Sequence, residues 1–228
     1  MQEQSIRTVD KVAKIFCCAV KEVIEASTGM TVSYAPTFQD VPSISLKPDL
    51  GGFIQFSGDY SGLFIMNFSK EASIEIYSKA MSFMGLPEDE ISKDADSDEV
   101  VNYVGEIMNQ VIGKARQKIE AKYGLSANNN QPKAITISSA ITLSVATMLD
   151  KPECRKIAFR TGETNPFYVE MSLEKTEFIR LEPREVEGEK GIQEHVDDVL
   201  EKGQEVEGPA EKKETEDVQS LMAELGLD

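Results

Sequence analysis

Glu106 and Asn109 lie three residues apart in the stretch GEIMNQVIGKA, residues 105–115. On a helix this spacing puts both side chains on one face, a turn apart. A carboxylate there can hold a cation. A carboxamide can donate and accept hydrogen bonds at once, so it can orient a water molecule. Glu99 and Asn102 satisfy the same Glu-x-x-Asn spacing, so the pattern alone does not choose between the pairs.

Other chemistries are poorly served. The single histidine, His195, falls in an acidic stretch near the end of the chain, which removes the usual Ser-His, Cys-His and multi-histidine metal arrangements from the rest. Cys17, Cys18 and Cys154 show no Cys-x-x-Cys spacing and read as reduced core thiols. The glycines of GGFIQFSGDYSGLFIMNF fit neither GxGxxG nor a P-loop and read as turn residues. No metal site is expected.

The formal net charge is −16. Residues 181–228 hold 16 Asp/Glu against 5 Lys/Arg, a net of −11, which leaves −5 for residues 1–180. Such a chain is ill suited to nucleic acid or to anionic membrane surfaces, both of which are bound through excess Lys and Arg. No apolar run approaches the roughly 20 residues of a membrane helix. The opening residues, MQEQSIRTVD, lack a basic segment followed by an apolar one, so a cytoplasmic location is expected.

The elements that must carry the pair follow from periodicity. A helix over about 99–123 places Val101, Val104, Met108, Val111 and Ala115 on one seam, widened by Val100, Ile107 and Ile112. Asn102, Glu106, Asn109 and Gly113 fall on the opposite stripe. Gly105 and Gly113 each cost about 1 kcal/mol relative to alanine. Close approach of another molecule, or packing of a neighbouring helix, would explain them.

A first helix is expected over 8–27, with Thr8 as its N-cap and Gly29 as its stop, and a second from a Ser69 cap to Met84. Strand signals fall at TVSYAP, SISLKP, GGFIQFSGDYSGLFIMNF, AITISSAITLSVAT and RKIAFRTGETNPFYVEMSLE, with a loop at LSANNNQP. In the hairpin of the third, Ile54 and Phe56 alternate before the turn, Leu63 and Ile65 after it. The order gives an α+β fold, with long helices on an antiparallel sheet built from two similar halves.

The helix VVNYVGEIMNQVIGKARQKI, in this order of elements, resembles the signature helix of the CheC/CheX/FliY chemotaxis phosphatases, CheX most of all. The resemblance implies a CheX/CheC-like fold with pseudo-two-fold halves over residues 1–180. It implies that Glu106 docks onto a phosphorylated CheY-type response regulator and that Asn109 positions the water attacking its aspartyl phosphate. Asn102 takes the supporting position four residues before the Glu. Mg²⁺ is expected on the regulator, with no cofactor on this chain, and a homodimer is implied. Helix 1 offers only Glu22 and Glu25 at the same spacing, with Glu where Asn is needed, so one site is expected.

The Glu-rich segment from about residue 181 lacks aromatic residues and reads as a disordered acidic linker to residue 214, with a short amphipathic island that includes Ile192, Val196, Val199 and Leu200. Residues 215–228 place Val218, Leu221, Met222 and Leu225 at helical spacing and resemble the CheY-binding C-terminal peptide of CheZ. A linker of about 37 residues would hold that peptide at millimolar-range effective concentration near the core. The alternative to a phosphatase is a non-catalytic regulator-binding module resembling the FliM middle domain.

Overall fold

The computed structural model describes residues 7–137, 143–144 and 149–179, all within the first of two units into which the chain divides, residues 1–180. The architecture is that of the first unit. The acidic linker, His195, the island at 192–200 and the expected partner-binding residues Val218, Leu221, Met222 and Leu225 lie outside the described residues.

Three helices, α1 (Thr8–Thr28), α2 (Lys70–Phe83) and α3 (Asp98–Tyr123), alternate with two groups of strands. The first group is β1 (Ser33–Tyr34), β2 (Gln39–Val41), β3 (Ser45–Leu46), β4 (Leu50–Gly58) and β5 (Gly62–Phe68). The second is β6 (Ala127–Asn129), β7 (Lys133–Thr136), β8 (Leu143–Ser144), β9 (Glu153–Arg160) and β10 (Pro166–Leu173). The main sheet runs β1-β9-β10-β5-β4-β6, with β2 also on β9 and β7 also on β4, and every pairing is antiparallel. The hairpins β4–β5 and β9–β10 meet at the β5–β10 seam, and each half lends its short strands to the outer edge of the other half's hairpin. This exchange is the structural form of the expected two-half organisation.

The helices cover one face of the sheet. Phe16 of α1 packs its ring against Phe56 and Phe64 at centroid distances of 5.7 and 4.9 Å. Phe68, Phe159 and Phe167 stack along the same face. The pairing of Ile54 with Phe64 puts Phe64, Met66 and Phe68 behind the helices with Ile54 and Phe56. Leu63 and Ile65 lie on the far face, packed with Ile44, Leu46, Ile137 and Cys154. Strand β5 is buried on both faces because it is central, so its apolar run could not reveal which residues share a side.

Helix ends follow the capping rules with one correction. Ser69 and Ser97 cap α2 and α3 by accepting from the amides of Ala72 and Val100. Gly29 and Gly124 close α1 and α3 in the left-handed conformation, at φ 69° and 70°. Thr8, expected as the N-cap of α1, is instead its first helical residue, and Arg7 occupies the cap without a side-chain bond. The Thr8 hydroxyl donates to Glu177 Oε2 at 2.6 Å and accepts the Phe178 amide at 3.0 Å, so it holds the chain beyond β10. The expected loop at LSANNNQP contains β6, whose Asn-rich sequence has low strand propensity but pairs with Ser57 and its neighbours on β4.

Candidate functional site

Helix α3 is seated on the sheet by Val100, Val104, Ile107, Met108, Val111, Ile112, Ala115 and Ile119, all buried. Val101 is only half-buried, so the seam turns toward Val100. Met108 marks the closest approach: a Cβ at Gly52 of β4 would lie 2.2 Å from its Sδ. On the α1 side, Glu22 of α1 pairs with Lys118 Nζ at 2.5 Å and Lys114 Nζ at 3.8 Å. Tyr103 lies edge-on to Tyr77 of α2, 5.8 Å between centroids, and hydrogen-bonds with Ser27. On the opposite flank, Arg116 Nη1 donates to Asn129 Oδ1 of β6 at 2.5 Å. These contacts fix the rotation of the helix about its axis, and thereby which stripe faces outward.

That stripe is Asn102, Glu106, Asn109 and Gly113, all exposed. Glu106 Oε1 accepts a 3.3 Å bond from Gln110 Nε2, one turn on, which steadies the carboxylate and leaves its other oxygen open to a partner. Gln110 was not singled out by the sequence, although its i+4 spacing from Glu106 carried the signal. Nothing in the described chain comes within 4 Å of a Cβ built on Gly105 or Gly113. Packing of a neighbouring helix therefore does not account for these glycines, and they leave α3 bare on both sides of the Glu/Asn pair. Glu99 of the competing match sits in the first turn of α3, beside the acidic loop.

The pair lies between opposite charges. Residues 88–99 contain seven Asp/Glu and one Lys, and residues 110–122 contain four Lys/Arg and one Glu. Of the basic residues, Lys114 and Lys118 are turned to Glu22 of α1 and Arg116 to Asn129 of β6. The equivalent spacing on α1 offers no second such surface. Glu22 is taken by the lysines of α3, and Glu25 Oε1 accepts both Lys21 Nζ at 2.5 Å and the Val32 amide at 2.8 Å. Burial raises the Glu25 pKa, but these bonds outweigh it and hold the carboxyl below its ordinary value.

Among the described residues there is no group of three or more His, Cys, Asp or Glu placed to hold a metal ion, and no helix long and apolar enough to cross a membrane. Cys17 is buried, and desolvation pushes its thiol up to about 12, which suits a packing role.

Solved structures share this arrangement. A putative chemotaxis protein from Desulfovibrio vulgaris Hildenborough is 24% identical, covers 75% of this chain and 100% of its own, and superposes with a TM-score of 0.60. The chemotaxis protein CheX from Desulfovibrio desulfuricans is 22% identical over 72% of this chain and 99% of its own, with a TM-score of 0.57. CheX from Borrelia burgdorferi, solved in complex with CheY, BeF₃ and Mg²⁺, is 14% identical over 72% of this chain and 98% of its own, with a TM-score of 0.52. At such identities the likeness is one of fold. No curated protein matches the chain. The family described as "Protein of unknown function (DUF3334)" matches residues 3–227. The chain therefore belongs to the DUF3334 family and has the CheX/CheC-like fold.

Proposed function

We propose that this protein is a phosphatase for the aspartyl phosphate of a CheY-type response regulator. The observation that carries the reading is the exposed Glu106/Asn109 pair on α3, flanked by Gly105 and Gly113, which no other part of the described chain approaches. The CheX/CheC-like fold supports it, since a solved protein of that fold is bound to CheY with BeF₃ and Mg²⁺.

Hydrolysis of an acyl phosphate proceeds by in-line attack of water through a loose transition state, so positioning and electrostatics matter more than a strong base. The Asn109 carboxamide accepts one hydrogen bond from the water and can donate another, which orients the oxygen lone pair toward phosphorus. Being neutral, it avoids the repulsion a carboxylate would meet beside a phosphoryl dianion. Glu106 anchors a cationic side chain of the regulator, and Asn102 extends the polar stripe by one turn. The phosphorylated aspartate and Mg²⁺ are supplied by the regulator, and the peptide at residues 215–228 captures the same partner. The experiment is dephosphorylation of a phosphorylated CheY-type regulator by wild type and by Asn109→Ala. A variant that binds the regulator but leaves its phosphate to decay spontaneously supports the reading. Wild type that also leaves the spontaneous rate unchanged makes the protein a binding module.

A further inference from the structure

Residues 82–90 are all exposed, and three of them are large apolar side chains: Phe83 at 65%, Met84 at 59% and Leu86 at 37%. They are held in a defined geometry. Helix α2 ends in a Schellman motif, in which the Leu86 amide donates to the Met81 carbonyl and the Gly85 amide to the Ser82 carbonyl, both at 3.0 Å, with Gly85 at φ 88°. In such a cap the residue after the glycine ordinarily packs back onto the helix, yet Leu86 remains turned to water. The cap thus presents three ordered apolar side chains in one place, the kind of patch that marks a contact surface.

The patch has an acidic rim. Glu88, Asp89 and Glu90 follow it directly and are exposed, and the one lysine of this loop, Lys93, is paired with Glu88 at 3.8 Å. Two-fold pairing with a second copy would bring like-charged rims together, which disfavours self-association through this surface. A partner with apolar side chains bordered by Lys or Arg is complementary to it.

The patch also lies toward the N-terminal half of α3, the half that carries the Glu/Asn pair. A Cβ on Gly29 would touch the Phe83 ring at 3.3 Å. Gly29 closes α1, and Ser27 in that last turn hydrogen-bonds with Tyr103, one turn before Glu106 on α3.

We propose that Phe83, Met84 and Leu86 form a second foothold for the response regulator, taking an apolar surface of that partner bordered by lysine or arginine. This rests on the regulator reading above and extends it to a surface that sets partner affinity rather than turnover. The test uses the full chain, a CheY-type receiver domain carrying Mg²⁺ and beryllofluoride for affinity, and the phosphorylated domain for kinetics. Phe83→Ser with Met84→Ser raises Kd and KM about tenfold. It leaves kcat and the unfolding midpoint near wild type, because both side chains are already mostly in water. Phe83→Leu with Met84→Leu retains wild-type affinity. Unchanged Kd in the serine variant overturns the proposal, as does a shift from dimer to monomer in sedimentation at unchanged regulator affinity, which would assign the patch to a second copy. If wild type binds the domain but does not hydrolyse its phosphate, the phosphatase reading fails while the patch is still decided by Kd. If wild type binds no receiver domain, both fail.

Discussion

Gly52 of β4 and Met108 of α3 are in intimate contact: a Cβ on Gly52 would stand 2.2 Å from Met108 Sδ. Met108 is fully buried and immediately precedes Asn109, so this contact sets how deeply α3 sits while its neighbour points to solvent. Gly52→Ala should cost about 1–3 kcal/mol through overpacking. Adding Met108→Ala should recover part of that loss, because the second change removes the obstructing sulfur. Urea denaturation of the single and double variants reads the coupling; strictly additive losses would mean that the contact does not determine the fit.

Gly105 and Gly113 should behave in the opposite way. Alanine at either position meets nothing in the described chain and should stabilise α3 by about 0.5–1 kcal/mol. If the bare surface serves a docking protein, the same variants should raise KM for the regulator. Urea midpoints and steady-state kinetics measured together reveal this trade, and a gain in stability with unchanged KM would remove the docking role of the glycines.

Glu75 of α2 is buried and accepts hydrogen bonds from the Thr161 hydroxyl, the Glu163 amide at 2.9 Å and the Asn165 carboxamide at 2.9 Å. One carboxylate thus ties α2 to the β9–β10 turn. Glu75→Ala strands these donors and should cost about 1–3 kcal/mol. Hydrogen exchange should accelerate first at the Glu163 amide, which loses its acceptor, while the amides of α3 keep their protection.

A pH effect is expected at Glu25. Its carboxyl is held below the ordinary value by Lys21 and the Val32 amide, against the opposing push of burial. A depressed folded pKa contributes stability above the unfolded value and loses it as pH falls through the folded one. Part of the stability present at about pH 5 should therefore disappear by about pH 3, and Glu25→Gln should flatten that slope. Denaturation midpoints across this range check it, and equal slopes for the two proteins would contradict it.

Much of this fold is legible in the sequence because local and tertiary preferences agree. The stripe of α3, the Ser69 cap and the stop at Gly29 follow from helical period and cap chemistry. The paired run around residues 58–62 shows as a hairpin. The departures arise where distant contacts decide. Thr8 looks like a cap, but its hydroxyl is claimed by Glu177 and Phe178, more than 160 residues away. Residues 127–129 look like a loop, but β4 offers them a pairing edge. Leu63 and Ile65 look like partners of Ile54 and Phe56, but a strand buried on both faces hides its alternation. At the site, spacing supplied the candidates Glu106 and Asn109. Helical period puts them opposite the apolar seam, and the packing of α3 adds what spacing cannot show, that nothing in the described chain approaches Gly105 and Gly113. The Phe83 patch had no sequence signature, because apolar residues at a helix end ordinarily read as core.

The most direct test is single-turnover dephosphorylation of a phosphorylated CheY-type regulator by wild type, Asn109→Ala and Glu106→Ala, with binding to the beryllofluoride form measured alongside. Wild type should accelerate phosphate release. Asn109→Ala should lose on the order of 100-fold in rate while keeping its Kd, since it removes the group that positions water. Glu106→Ala should act mainly by weakening binding. Asn109→Ala hydrolysing as fast as wild type, or wild type leaving the spontaneous rate unchanged, would contradict the assignment of this helix face to catalysis.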